Sequence, residues 1–232
     1  MAATIPFPSR RVTAACLVGA GLVMTAGFAA TPWEAEQTTR AYHDALLGHP
    51  DQAQVAAVLL HFGYLLLMPG AFGVMALVAP RGGWLLKIGG VLAVLGMATL
   101  PGLLITDAYD LALARELPPD VAARVSDAVG DLALSTILGF PTIVGVVLGM
   151  ILLFLALWRA GEVPFAVPAL VIAGWVVSFA GFGLVPTVAG GALMTLAFVL
   201  TAVRITRSVP GVAAEVAAPE GGAPEVPAPA VA

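Results

Sequence analysis

Gln54 to Ala79, QVAAVLLHFGYLLLMPGAFGVMALVA, is the stretch that decides the fold class of this chain. About 20 apolar residues in a helix, at about 1.5 Å per residue, cross a hydrocarbon core of about 30 Å. The stretch exceeds that length, and it contains a histidine, His61. Because an ionisable group inside a membrane span is costly, it marks a candidate functional site. The stretch therefore predicts a transmembrane helix that carries such a candidate.

The composition of the whole chain agrees with a membrane protein. Of its 232 residues 60% are hydrophobic and 10% are charged, and the mean hydropathy is +1.00. Soluble domains carry about 25% charged residues. Lys87 is the single lysine beside nine arginines, and Ala, Val, Gly and Pro are abundant, a bias typical of a GC-rich bacterial genome. These values predict a multi-pass protein of the bacterial inner (plasma) membrane, in contact with the lipid bilayer and without a nucleic-acid partner.

Hydropathy predicts an all-α polytopic membrane helix bundle with six transmembrane helices. Three of the apolar runs contain Gly-x4-Pro near their far ends, which predicts three related helical hairpins whose first helices end at a proline. The prolines of this repeat are Pro32, Pro101 and Pro186. The predicted spans are 12–30, 54–79, 84–106, 132–158, 165–185 and 188–205.

The basic residues predict the orientation. With the N-terminus inside, seven basic residues lie on the cytoplasmic side and three lie outside, so both termini are expected to be cytoplasmic. Residues 1–11 then form a cytoplasmic N-terminus, 12–207 form the transmembrane domain, and the Pro/Ala-rich residues 208–232 form a disordered cytoplasmic tail. Gly27 and Ala29 also resemble a signal-peptidase site, so a cleaved first helix stays open as an alternative.

The outer-face loops 31–53 and 107–130 are long enough to build a cap. In the second loop Pro118-Pro119 interrupts the chain and Asp120 is a candidate N-cap of a short amphipathic helix. In the first loop an apolar face is formed by Trp33, Tyr42, Leu46 and Leu47. We expect both loops to carry short helices at the membrane interface.

His61 lies on a helical stripe with Tyr64, Met68 and Met75. Imidazole and thioether groups bind haem or copper, which allows a cofactor site. The stripe is also what ordinary packing produces, because methionine fills gaps in helix bundles and a buried histidine finds a hydrogen-bond partner on a neighbouring helix. We therefore predict no cofactor.

Carboxylates are expected above His61. Asp107 and Asp110 leave the outer end of the third span, and Asp131 enters the fourth. With His61 and Tyr64 they form a candidate ligand-binding set that resembles a vestibule for a cation, although the identity of any metal stays open. The first outer loop offers further candidate ligands, which are His43, Asp44, His49 and Asp51.

Gly145 and Gly149 form a GxxxG motif in the fourth span, which predicts close helix packing within one chain or between two chains. Pro69 and Pro141 lie inside spans, where they kink helices. The chain contains no GxSxG, His-Glu-x-x-His or P-loop motif.

The stretch LWRAGEVPFAVPALVIAG, from Leu157 to Gly174, resembles the junction between two helices in a family of six-helix bacterial integral membrane proteins that have no known activity. In that family a basic residue, a glycine and a proline link one apolar helix to the next. The resemblance implies six spans and a helix-bearing outer loop, and it implies nothing about function.

Three functions are compatible with these patterns. The first is a non-catalytic membrane protein that binds or passes a small molecule or ion through a cavity open to the extracytoplasmic face. The second is an accessory or structural subunit that docks on a membrane protein partner or on a second copy of the chain. The third is a membrane oxidoreductase with a cofactor held by His61. The first is the preferred hypothesis.

Overall fold

In a computed structural model, which describes residues 8–79, 81–181 and 183–207, the regular structure is all helical. The prediction of an all-α protein is confirmed for these residues. The predicted tail 208–232 and residues 1–7 of the predicted N-terminus lie outside the described residues. The helices are α1 (Arg10–Ala30), α2 (Thr39–Gly48), α3 (Pro50–Val78), α4 (Gly83–Leu104), α5 (Thr106–Glu116), α6 (Pro119–Gly130), α7 (Ala133–Arg159), α8 (Ala166–Ala180) and α9 (Leu184–Arg207).

Five of these helices, α1, α3, α4, α7 and α9, are long and apolar enough to cross a membrane. They are helical because backbone groups in lipid must find hydrogen-bond partners within their own segment. The fifth predicted span, 165–185, is represented by α8, which has 15 residues. The helix ends at Ala180 because Gly181 has an extended backbone and Gly183 has a φ of 100°, a value that favours glycine.

The longer helices pack as antiparallel neighbours. In the α1–α3 pair Gly27 contacts Leu60 and Gly70 contacts Leu17. In the α4–α7 pair the hydroxyl of Thr142 donates to that of Thr99 at 2.7 Å, and small residues let the two backbones approach closely. A continuous core of buried apolar side chains runs through the bundle, and Phe154 is its largest fully buried side chain.

Helix α9 joins the last part of the chain to the first. It packs antiparallel to α8, where Gly190 lies against Ser178, and antiparallel to α1, where the hydroxyls of Thr25 and Thr195 are 3.0 Å apart. At the other end of the same contact, Arg10 Nη1 donates to the carbonyl of Ile205 at 3.2 Å. The start of α1 and the end of α9 therefore lie side by side.

Helices α2, α5 and α6 form a small unit, here called the cap, at the end of the bundle where α1 ends and α3 begins. A second small core joins Leu46, Ala53 and Leu111, with Tyr42 packed against it. Across the cap surface Arg40 Nη1 donates to Asp120 Oδ1 at 2.6 Å. The cap is thus held by a few apolar contacts and by polar contacts between its helices.

Two local expectations are wrong. The proline of the repeat was expected to end each first helix, but α4 continues through residue 101 to Leu104. In α6 the N-cap is Pro118, and Asp120 lies in the first turn, where its side chain binds Arg40 instead of capping the helix. Proline is tolerated at the start of α6 because the first turn lacks acceptors for its N–H groups.

Candidate functional site

A cavity of about 360 Å³ lies among α1, α3, α4, α7, α8 and α9, in the half of the bundle near the cap. Its wall is mainly aromatic and aliphatic, which is typical of sites for small, largely apolar molecules. We call it the central cavity. Its lining residues include Phe28, Trp33, Tyr64, Leu100, Ile143, Val146, Val147, Trp175, Ser178 and Phe179.

Polar groups interrupt this apolar wall at a few positions. Trp175 is 9% exposed, and its Nε1 has no hydrogen-bond partner among the described residues. The hydroxyl of Ser178, one turn further along α8, is also buried without a partner in the described part of the chain. A buried donor without a partner costs about 1–3 kcal/mol. Trp175 lines the cavity, but its Nε1 is itself shielded from that space, so an occupant could offer it an acceptor only after the wall rearranges.

The rim of the central cavity has two exposed sides. Gln37, from the connection between α1 and α2, is exposed and lines the cavity toward the cap. Ile143 of α7 and Phe179 of α8 line the cavity and are 48% and 64% exposed on the flank of the bundle. The cavity is therefore bordered by the cap on one side and by the lipid-facing surface between α7 and α8 on another.

An acidic cleft of about 880 Å³ lies on the cap, above the central cavity. Gln37 lines both the cleft and the cavity. Four carboxylates line the cleft, and no Lys or Arg is among its described lining residues. These acidic residues are Glu34, Asp110, Asp127 and Asp131.

The hydroxyl of Tyr42 lines the same cleft region and donates to Asp107 Oδ1 at 2.9 Å. Burial raises the pKa of the Asp107 carboxyl; the hydrogen bond from Tyr42 opposes this shift, and the charge of Asp110 adds to it. Burial and the charge of Asp107 raise the pKa of Tyr42. The phenol therefore keeps its proton and remains the donor.

Next to this pair, His43, Asp110 and Ser126 join α2, α5 and α6. His43 is 2% exposed, and its Nε2 lies 3.2 Å from Ser126 Oγ and 3.6 Å from Asp110 Oδ1. The hydroxyl of Ser126 donates to Asp110 at 2.6 Å. Both His43 and Asp110 thus contact the same serine, an arrangement that ties the three cap helices together. The ring Nδ1 of His43 has no partner among the described residues.

His61 lies apart from both the central cavity and the acidic cleft. Its half-buried ring packs edge-on against Phe62, with 5.4 Å between ring centroids, in a depression of about 370 Å³ on the flank of the bundle. Val58 and Ile105, which share the depression, are exposed. Tyr64, three residues later, is buried and lines the central cavity.

The predicted site residues are therefore divided among three places. Asp110 and Asp131 share the acidic cleft, and Asp107 reaches it through Tyr42. Tyr64 lies below them in the central cavity, and His61 lies on the flank. Within the described ranges no three His, Cys, Asp or Glu side chains converge to hold a metal ion. A ligand-binding role for these residues stays a prediction.

The GxxxG glycines lie in the contact between α4 and α7 of the same chain. A Cβ at Gly145 would lie 2.7 Å from the carbonyl oxygen of Leu92, and a Cβ at Gly149 would overlap the backbone of Ala93. The two glycines are therefore covered by α4, so they do not supply a contact surface for a second chain.

The predicted set did not include Trp175 and Phe179, which lie with Ser178 on one face of α8 by their spacing of three and four residues. A search for ionisable residues passes over them because none carries a charge. The signal that could have found them is a polar and aromatic stripe in a helix that is otherwise aliphatic.

The chain was compared with protein-family models, with curated proteins and with solved structures, and none matches it. The resemblance at Leu157–Gly174 consequently stays a prediction.

Proposed function

We propose that this protein is a non-catalytic membrane protein that binds a small, mainly apolar molecule in the central cavity. The observation that carries the proposal is a cavity of about 360 Å³ with a mainly aromatic and aliphatic wall, which is open toward the cap and between α7 and α8. A small ligand that fills apolar space matches this wall. A ligand that also carries an acceptor gains a hydrogen bond if the wall moves to expose the buried indole N–H of Trp175.

The chemistry of the wall supports binding over catalysis. The described lining residues include no carboxylate, imidazole, amine or thiol, the groups that most often transfer protons or attack substrates. The same lining disfavours an ion as the occupant, because a desolvated ion needs charged or closely spaced polar groups. A small molecule is therefore the preferred ligand.

Filling the cavity tests the proposal. Val147→Phe adds an aromatic ring at the cavity wall, whereas Leu148→Phe makes nearly the same change at the next residue, which is exposed and does not line the cavity. The probe is N-phenyl-1-naphthylamine, a neutral apolar dye whose fluorescence rises on leaving water. We expect the purified Leu148→Phe protein to bind the dye like wild type and Val147→Phe to bind at least tenfold more weakly. Equal affinities in the two variants would refute binding in this cavity.

The indole N–H is tested separately with Trp175→Phe, which keeps an aromatic ring and removes the donor. A hydrogen bond contributes about 0.5–1.5 kcal/mol, so a ligand that accepts it should lose about two- to tenfold in affinity. A ketone-bearing dye of the prodan type is a suitable probe. Equal affinity of the variant and the wild type for that dye would show that the aromatic ring of Trp175 contributes to binding and its N–H does not.

We further propose that the chain crosses a bacterial plasma membrane six times, with both termini in the cytoplasm. Helix α9 runs antiparallel to α1, so the chain must cross the bilayer an even number of times between the start of α1 and the end of α9. Five long helices give an odd number, and a crossing by α8 supplies the sixth. Arg10, Arg81 and Arg207 lie at the end of the bundle opposite the acidic cap, and a basic cytoplasmic end is the usual arrangement.

This orientation is tested by Gly48→Cys in a Cys16→Ser background. Gly48 is exposed at the end of α2, and a side chain there meets no atom within 4 Å. A membrane-impermeant maleimide should label it in intact cells, whereas a cysteine in place of Arg207 should react only after lysis. The reverse pattern would invert the topology.

A further inference from the structure

We propose that the ligand is a cationic amphiphile, whose apolar body occupies the central cavity and whose positive head lies in the acidic cleft. This inference rests on the proposed function, because it assigns a chemical class to the molecule bound in the same cavity. It extends the binding site to the cleft, so that the apolar body of the ligand contacts aromatic side chains and its positive head contacts carboxylates.

The connection between α1 and α2 places the two halves of the site next to each other. Trp33 lines the central cavity, Glu34 lines the acidic cleft, and Gln37 lines both. A ligand that lies alongside Gln37 can therefore contact the aromatic wall of the cavity at one end and the carboxylates of the cleft at the other. Few neutral or anionic ligands gain from both surfaces, whereas a cation attached to an apolar body does.

The charges of the cleft select for a positive head. Glu34, Asp127 and Asp131 line it together with Asp110. Arg40, which follows the lining residue Thr39, is paired with Asp44 and Asp120. Arg40 is not among the lining residues, so it does not neutralise the cleft from within. Several like charges around one space attract a cation by their summed field.

The wall of the central cavity fits the same ligand. The rings of Phe28, Trp33, Tyr64, Trp175 and Phe179 line it, and the faces of aromatic rings attract positive charge. Trp175 and Phe179 stack with 5.8 Å between their centroids, so α8 presents a paired aromatic surface. An apolar body can therefore lie among these rings while a positive head at the rim of the cavity meets ring faces that attract it.

The test compares decyltrimethylammonium with decyl sulfate, two amphiphiles with the same apolar chain and head groups of opposite charge, each below its critical micelle concentration. Each displaces N-phenyl-1-naphthylamine from the full-length protein in a neutral detergent at low ionic strength. We expect the cation to displace the dye at least tenfold more effectively than the anion, and added salt to reduce this difference because the cleft is exposed. Equal displacement by the two ions would overturn the assignment of a cationic head.

Variants then locate the charges responsible. Glu34→Gln with Asp131→Asn removes two negative charges from the cleft, and Asp51→Asn with Glu116→Gln removes two exposed negative charges that do not line it. We expect the cleft variant to lose about three- to tenfold in affinity for the cation and the control variant to lose less than twofold. Equal losses would overturn the role of the cleft. Should the double cleft variant unfold, Asp131→Asn alone decides the question by the same comparison.

The two proposals fail in different ways. If Val147→Phe leaves binding of the neutral dye unchanged, the cavity is not the binding site and the proposed function fails. If that variant abolishes dye binding but the cation shows no preference for the intact cleft, the cavity binds apolar molecules and the cationic class is wrong.

Discussion

Gly96→Ala should destabilise the bundle by forcing α4 and α7 apart. A Cβ at Gly96 would lie 2.7 Å from the carbonyl carbon of Gly145 and 2.8 Å from the carbonyl oxygen of Thr142. Ordinary contacts begin at 3.4 Å, and the backbone N of Val146 would lie closer still to the added Cβ, so the two backbones must separate by at least 0.7 Å. Since both sides are helix backbone, no flexible side chain can move aside.

Separation by that distance affects the whole helix contact. A gap of about 0.5–1 Å removes a quarter to a half of the attraction between the atoms that face it. Overpacking of this kind costs about 1–3 kcal/mol. Gly102→Ala is the matched control, because Gly102 lies in the same helix and a Cβ there meets no atom within 4 Å. The control should gain about 0.5–1 kcal/mol from the better helix propensity of alanine.

The two variants should therefore differ in unfolding free energy by about 1.5–4 kcal/mol, with Gly96→Ala the less stable. Unfolding of the purified proteins with increasing mole fraction of SDS, followed by the helical circular dichroism signal, measures this difference. Stabilities that agree within about 0.5 kcal/mol would refute the close α4–α7 packing, because the added methyl group would then have found free space.

Three further outcomes are expected. Asp107→Asn keeps an acceptor for Tyr42 and removes a buried charge. Because the pKa of Asp107 is raised in the folded state, the contribution of this carboxyl to stability declines as pH rises from about 4 through the raised pKa. The thermal midpoint of the Asn variant should not show this decline. Parallel pH profiles of the two proteins would contradict this reasoning. His61→Phe should change the unfolding free energy by less than about 0.5 kcal/mol, because the ring lies on the flank of the bundle, and a larger loss in the SDS titration would reveal a buried partner. Thr195→Val leaves the hydroxyl of Thr25 facing an apolar group and should lower the unfolding free energy by about 0.5–1.5 kcal/mol in the same titration. Adding Thr25→Val should recover part of that loss, whereas purely additive losses would argue against the hydrogen bond.

The helices could be predicted from the sequence because lipid imposes a simple rule. Backbone groups must be satisfied within each segment, so the length of an apolar run predicts a helix. Five long helices follow this rule. The predicted run 165–185 does not, because α8 ends at Ala180, before the extended Gly181, and the run's last two apolar residues, Leu184 and Val185, belong to α9.

The candidate site was harder to predict because it depends on how six helices are rotated and packed. His61 and Tyr64 are three residues apart and were expected to share one face, but the border between the flank and the interior of the bundle passes between them. Asp110 and Asp131 could be named in advance because charge is visible in sequence, and both line the acidic cleft. Trp175 could not be named, because an indole without a partner is a property of the packed structure.

The contact between α1 and α9 has a consequence for biosynthesis. Thr25 and Thr195 are separated by 170 residues, and chains are synthesised at about 5–20 residues per second. About 10 to 30 seconds therefore pass between the synthesis of the α9-facing side of α1 and that of the part of α9 that covers it. During that time α3 holds one side of α1, while Gly21 and Thr25 face lipid or an insertion factor. A nascent chain stalled before Leu184 would keep that small-residue surface uncovered, available to quality-control proteases or to the α9 of another copy.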